Sequence, residues 1–187
     1  MNTYITQQYV DRLSSLMRQE NRTKLSLHGL QPVQFDALQY LMQCNHYSDT
    51  PMAVTEFLGQ TKGTVSQTLN VLVRKGFIAK TMDQEDKRVV HLSVTSKGIK
   101  LSQEILESKL LQTGAKLVGQ QKLDQLNTGL ELLLNKLQLA NQLKTFGQCH
   151  SCRHHTKLTS NGLLCGLTQE RLSSKDATLI CREHNPP

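Results

Sequence analysis

Cysteine is unevenly spread along this chain. Four of its five cysteines fall in the last stretch, as Cys149-x2-Cys152-x12-Cys165-x15-Cys181, and the body before them holds only Cys44. This limits what the tail can become. From Thr145 to Pro187 it is interrupted by Gly147, Gly162, Gly166, Ser151, Ser160, Ser173 and Ser174. Its larger apolar residues are Phe146, Leu158, Leu163, Leu164, Leu167, Leu172, Leu179 and Ile180. About forty residues of this kind cannot bury enough surface to offset chain entropy unaided. A metal bound by the thiolates supplies the missing free energy, because an unfolded chain holds no preformed site.

Cys149, Cys152, Cys165 and Cys181 are therefore the expected metal ligands. Four thiolates suit tetrahedral zinc and an iron–sulfur cluster equally well by softness. Zinc ribbons usually carry two paired knuckles, whereas here the second pair is split by 15 residues. The choice stays open, zinc marginally ahead of the cluster and metal-free redox thiols third. His150, His154, His155 and His184 lie close by and could each replace a thiolate. Covalent haem attachment is excluded, since Arg153 and not His follows Cys152.

The formal net charge is +7 with a sequence pI near 9.3, which points toward phosphate-bearing partners. There is no Trp, so the core must come from Leu, Val and Ile, which fits helices better than aromatic-rich strands. No run of about 18 apolar residues exists to span a membrane. Asp11, Arg12, Arg18 and Glu20 break up the first twenty residues, unlike a signal peptide. The expected location is the cytoplasm, where clustered thiols favour metal or redox chemistry over disulfides. No Ser/His/Asp order, paired-carboxylate spacing or phosphate-cradling glycine loop argues for an enzyme.

Helical periodicity dominates the body. Tyr9, Leu13, Leu16 and Met17 share one face of a first helix, which residues 21–27 extend. Gly29 and Pro32 bracket a break. Phe35, Leu38, Leu41 and Met42 mark a second helix ending near Cys44. Thr50 suits an N-cap and Pro51 a first helical position, opening a short third helix with Val54, Phe57 and Leu58 inward. Thr61 caps a fourth helix over 62–75, stopped by Gly76. Its inner face is Val65, Leu69 and Leu72. Its outer face carries Lys62, Thr64, Ser66, Gln67 and Asn70, short polar groups able to donate and accept toward base edges. Strands over 77–80 and 89–95 flank the charged turn Asp83-Gln84-Glu85-Asp86-Lys87-Arg88. His91 in the second strand reads as surface or packing, and Cys44 as a buried helix-end thiol. Two short helices, a polar-faced helix and a charged hairpin make a winged helix-turn-helix.

Residues 30–98 resemble the MarR family of bacterial transcription regulators. The resemblance rests on Leu30-Gln31-Pro32-Val33-Gln34-Phe35, Thr61-Lys62-Gly63-Thr64-Val65-Ser66-Gln67-Thr68-Leu69, Leu72-Val73-Arg74-Lys75-Gly76-Phe77-Ile78, and Asp83 to Arg88 running on to Leu92-Ser93-Val94-Thr95-Ser96-Lys97-Gly98. It implies a mainly α fold with a small β-hairpin wing. The expected organisation is a winged-helix domain over 1–144, then a four-cysteine metal-binding extension over 145–187. Within the first, residues 1–29 and 98–144 form a helical dimerisation bundle and 30–97 the DNA-binding winged helix. Lys62, Thr64, Ser66, Gln67 and Asn70 would face the major groove. Lys87 and Arg88 would sit at the wing tip over the minor groove, with Asp86 orienting the arginine. Gln31 departs from the Ser or Thr that often caps the second helix.

The later helices fit this layout. Thr95 or Ser96 caps a long fifth helix whose stripe is Ile99, Leu101, Ile105, Leu106, Leu110 and Leu111. Gly114 and Gly119 precede a ladder of Leu123, Leu126, Leu130, Leu133, Leu134, Leu137 and Ala140. So much leucine outside the winged region suits a subunit interface. The expected partner is a pseudo-palindromic operator in double-stranded DNA, bound by a homodimer. Two function classes follow. One is a regulator whose DNA affinity the metal or redox centre modulates. The other is a regulator whose zinc tail is structural or binds a protein partner, with a small-molecule effector sensed elsewhere.

Overall fold

The computed structural model describes residues 3–84, 86–141, 144–158 and 162–186. Glu85 of the wing turn, Ser160 of the tail and the 142–143 part of the expected dimerisation segment lie outside these. The element order is α1 (Thr3–Leu27), α2 (Pro32–Gln43), α3 (Pro51–Leu58), α4 (Lys62–Arg74), β1 (Ile78–Met82), β2 (Val90–Val94), α5 (Ser96–Leu106), α6 (Lys109–Val118) and α7 (Gln120–Ala140). The tail adds a 3-10 turn (Cys149–Ser151), β3 (His155–Lys157), β4 (Leu163–Cys165), β5 (Arg171–Leu172) and α8 (Ser174–Thr178).

Local chemistry sets these boundaries. Thr50 Oγ1 accepts from the Ala53 amide at 3.3 Å and Pro51 follows it, so α3 starts where its cap dictates. Thr61 caps α4 in the same way, and Thr95 caps α5. Gln31 is a better start for α2 than its side chain suggests. Its own amide donates to Gln34 Oε1 at 3.0 Å, one arm of a capping box. The expected long fifth helix is two helices. Ser108 caps α6 by accepting from the Leu111 amide, and Glu20 of α1 accepts from both the Ser108 hydroxyl and the Lys109 amide. A carboxylate at a helix N-terminus is favourable, so the break is held from outside the helix.

One core joins the winged helix: Leu25, Leu38, Leu41, Val54, Val65, Leu69, Leu72, Ile78, Leu92, Leu101 and Ile105 are all buried in it. Strand β1 pairs antiparallel with β2, Ile78 opposite Val94 and Met82 opposite Val90. Phe57 departs from the expected inward face of α3. It is 40% exposed, yet its ring lies 4.4 Å from that of buried Tyr40. Phe146, from the start of the tail, completes a three-ring cluster at 5.9 Å from Tyr40 and 5.3 Å from Phe57. The tail is thus part of the core and not a free appendage. Its small sheet has the order β3-β4-β5, antiparallel throughout.

The leucine ladder is uncovered within a single chain. No residue of α6 or α7 is buried, and Leu117 is 84% exposed. Tyr4, Tyr9, Leu13 and Met17 of α1 are exposed as well. Scattered exposed leucines are ordinary, but a continuous apolar face on three neighbouring helices is not.

Gly98 marks the tightest approach in the winged helix. A Cβ there would stand 2.3 Å from the Phe77 carbonyl oxygen and 2.7 Å from a Val94 methyl. Backbone cannot yield as a side chain does. Gly98→Ala is expected to destabilise the fold by about 1–3 kcal/mol, the usual scale of overpacking. Urea denaturation checks it, and a loss under about 0.5 kcal/mol, typical of a surface site, would show that the contact of α5 with Phe77 and β2 is loose.

Candidate nucleic-acid interface and thiol pocket

Helix α4 presents one side to the core and the other to solvent. Val65, Thr68, Leu69 and Leu72 are buried, and Lys62, Thr64, Ser66, Gln67 and Asn70 are exposed. Two of the exposed residues are already engaged. The Thr64 hydroxyl shares a hydrogen bond with the capping Thr61 hydroxyl at 3.0 Å. Asn70 Oδ1 accepts from Lys80 Nζ of β1 at 2.8 Å. Among the described residues, no side-chain hydrogen bond holds Lys62, Ser66 or Gln67. Lys80 was invisible as a site residue in the sequence, because only the β1 register brings it beside α4. It lines a shallow groove with Pro51, Met52, Lys62 and Ser66.

The wing tip is organised by carboxylates. Asp86 takes Arg88 in a fork, with Nε on Oδ1 at 2.9 Å and Nη2 on Oδ2 at 2.9 Å. That bond holds the Asp86 carboxyl below the usual carboxylate range. Arg88 is 90% exposed along its side chain, so the pair aims the guanidinium outward without burying it. Lys87 is exposed beside it, its ammonium donating to the Asp83 carbonyl at 3.1 Å.

His91 is not idle surface. Its Nδ1 meets Asp49 Oδ1 at 2.5 Å and its Nε2 meets Asp83 Oδ2 at 3.2 Å. The Asp49 bond holds the imidazole above its ordinary value against the effect of burial, and Asp83 adds to it. The Asp49 carboxyl itself sits above the usual range, because its burial outweighs what His91 contributes. Asp49 immediately precedes the cap of α3, and its carbonyl accepts from the Leu92 amide at 2.8 Å. His91 therefore ties the wing to the start of the helix-turn-helix. Nothing in the sequence signals this, since Asp49 and His91 are 42 residues apart.

All four tail cysteines line one pocket, together with His154, His155, Asn45 and Tyr47. Among the described residues, however, no three His, Cys, Asp or Glu side chains come together closely enough to hold an ion. Cys149 is buried, and burial pushes its thiol up to about 11, with the charges of Cys181, Cys152 and Cys165 acting in the same direction. The Asn185 amide donates to Cys152 Sγ at 3.4 Å. Of the nearby histidines, His155 has Nδ1 at 3.7 Å from Cys149 Sγ. His184 is occupied at both nitrogens, by the hydroxyls of Thr145 at 2.6 Å and Ser151 at 3.0 Å. A Cβ on Gly147 would fall 2.5 Å from its ring. His150 lies 3.1 Å from the Ala177 carbonyl. Cys44 lies on the other side of the docked tail, its thiol pushed up to about 12 by burial and then by Asp49, which suits packing and not reactivity.

Residues 28–89 match the sequence model of the MarR family. The match falls on the winged helix, about a third of the chain. The transcriptional repressor MprA of Escherichia coli K12 is 30% identical over 88 residues, 46% of this chain and 50% of that protein. The chain spans about half the length of the curated relatives it matches. A MepR mutant from a multidrug-resistant Staphylococcus aureus clinical isolate superimposes with a TM-score of 0.61 at 26% identity, covering 74% of this chain and 100% of that one. The S. aureus MepR–DNA complex gives 0.56 at 25% identity, over 73% and 98%. No helix among the described residues is long and apolar enough to cross a membrane.

The His91 bridge gives the wing a pH dependence whose sign follows from the direction of its shift. The folded His91 value lies above its unfolded value near 6.5. Its imidazolium therefore stabilises the wing fully below that value, and the stabilisation is lost as pH rises through the folded one. His91→Gln is expected to remove this component, visible as a flatter stability profile from pH 6 to 8 on denaturation. Identical profiles for the two proteins would show that the His91 bridge carries no net energy.

Proposed function

We propose that the chain is a homodimeric regulator of transcription that binds double-stranded DNA through α4 and the wing. Its C-terminal thiols, on this reading, hold a metal or redox centre that sets DNA affinity. The single observation that carries the DNA reading is the shared outward aim of two elements. Lys62, Ser66, Gln67 and Asn70 line the exposed side of α4, and Arg88 is held at the wing tip by Asp86. That supports α4 in the major groove, Arg88 toward the adjacent minor groove, and Lys62, Lys80 and Lys87 on phosphates. The likeness to MepR, solved with an oligodeoxyribonucleotide, supports it further. The cytoplasm is where such a protein would meet its operator.

The exposed leucines of α6 and α7 and the apolar side of α1 support a second copy of the chain as their cover. Two-fold symmetry then sets operator half-sites one helical turn apart, about 10 bp. The pocket shared by Cys149, Cys152, Cys165 and Cys181 supports a thiophilic centre there. Tetrahedral zinc and an iron–sulfur cluster both suit four thiolates, with zinc marginally favoured. One observation favours the second reading, in which the tail is structural and a small effector binds elsewhere. Phe57, Leu58, Leu134 and Phe146 line an apolar groove between α3 and α7.

Two variants test the DNA reading. Gln67→Ala is expected to cost about 1–3 kcal/mol on a cognate operator and to relax base preference at one position. Arg88→Ala is expected to weaken binding on all sequences and reduce the salt slope by about one. Fluorescence anisotropy over a salt series reads both, and unchanged affinity and slope in both variants would remove the interface. Visible absorption and metal analysis of anaerobically purified protein test the centre. A brown protein with iron and sulfide supports the cluster, colourless protein with zinc supports the single ion, and metal-free protein defeats both.

A further inference from the structure

We infer that the thiol centre acts on DNA binding within one subunit, through the 44–50 loop that the tail grips on one side and the wing on the other. This rests on the reading of the cysteines as a metal centre. It differs from a signal passed through the spacing of two subunits. The tail's last cysteine decides the route.

Cys181 lies in a short extended segment wedged between the thiol knuckle and the helix-turn-helix. Toward the knuckle, the Cys149 amide donates to the Leu179 carbonyl at 3.1 Å and the Cys181 amide donates to the Gly147 carbonyl at 3.0 Å. Toward the winged helix, the Ile180 amide donates to the Gln43 carbonyl at 2.8 Å and the Asn45 amide donates to the Ile180 carbonyl at 2.9 Å. Ile180 thus bridges parallel to Cys44 and antiparallel to Gln148. One residue on, the Arg182 amide donates to Ser48 Oγ at 2.8 Å, and its guanidinium forks onto Glu56 of α3 at 2.7 and 2.6 Å. Both neighbours of a pocket-lining thiol are therefore fastened to the DNA-binding unit.

The loop they hold is a closed polar network. Ser48 is 0% exposed and Asn45 2%. Ser48 Oγ donates to Asn45 Oδ1 at 2.7 Å, and the Ser48 carbonyl accepts from the Tyr40 hydroxyl at 2.8 Å. A buried network of this kind is stable when complete and costly when half-made, so it switches and does not drift. The next residue, Asp49, holds the wing through the Leu92 amide and His91. Asn45 and Tyr47 of the same loop also line the thiol pocket, and the Tyr47 hydroxyl donates to Glu170. A centre that holds Cys181 together with Cys149, Cys152 and Cys165 constrains Ile180 and Arg182 on either side of it, and through them the anchor of the wing.

The experiment compares operator affinity of the full-length dimer with its centre loaded and stripped, using zinc in one arm and ferrous iron with sulfide in the other. In wild type, affinity is expected to change on the order of tenfold in at least one arm, within the usual range of coupling between sites. Arg182→Met removes the fork on Glu56 at a partly exposed position. It is expected to retain the metal content and thermal stability of wild type while its loaded-to-stripped ratio falls toward one. Hydrogen exchange supplies an independent readout. Stripping is expected to raise exchange over residues 44–50 and 90–94 in wild type. A full wild-type ratio surviving in Arg182→Met at equal metal content, or exchange changes confined to α6 and α7, would overturn this route and leave the metal reading intact. A wild-type ratio of one in both arms would overturn the metal-modulated reading and this route together.

Discussion

The buried α2 helix, and Tyr40 on it, is the contact on which the rest of the structure depends. Its ring packs against Phe57 of α3 and Phe146 of the tail, and its hydroxyl reaches the Ser48 carbonyl. Burying a tyrosine is favourable only if that hydroxyl finds a partner. The partner here lies on the very loop that the tail and the wing share. One side chain therefore ties the winged helix to the thiol module by apolar packing and by a single hydrogen bond. Burial drives the Tyr40 hydroxyl well above the ordinary phenol range, so it remains a donor at any working pH.

Electrostatics works beside that core in two styles. At and beside the wing, carboxylates position cations: Asp86 aims the exposed Arg88, and the partly buried Asp49 and Asp83 hold His91. The surface Asp86–Arg88 pair adds little to stability, so its value lies in geometry. At the tail, Glu56 gathers Arg182 and Lys144, and Glu183 joins both. Those charges rim the aromatic cluster where the tail begins and ends. In a chain with net charge +7, several carboxylates thus orient specific cations, while among the described residues no side-chain hydrogen bond holds Lys62.

Much of this was legible before any coordinates. Thr50, Thr61 and Thr95 announced their helices, because a capping hydroxyl acts within three residues. The polar side of α4 followed from its apolar side. The break between α5 and α6 was not legible, since part of its cap, Glu20, comes from a helix 88 residues earlier. Lys80 and His91 were missed for the same reason: each matters through a partner that only the β1–β2 register or the α3 start brings near. Phe57 was read as core from its period, yet it lies at the rim, where the tail covers it only in part.

What the sequence determined by itself is the set of local elements and the chemical identity of the two surfaces. Capping, periodicity and the wing turn specify a winged helix, and four cysteines in a core-poor tail specify a thiol-rich module. The tertiary structure alone decided where that module sits. It docks on the loop before α3 and not on the leucine face of α6 and α7, because Ile180 and Phe146 find backbone partners and an aromatic pocket there. Such contacts join residues more than a hundred positions apart. No local preference encodes them, and they emerge only when burial and hydrogen bonding are satisfied together.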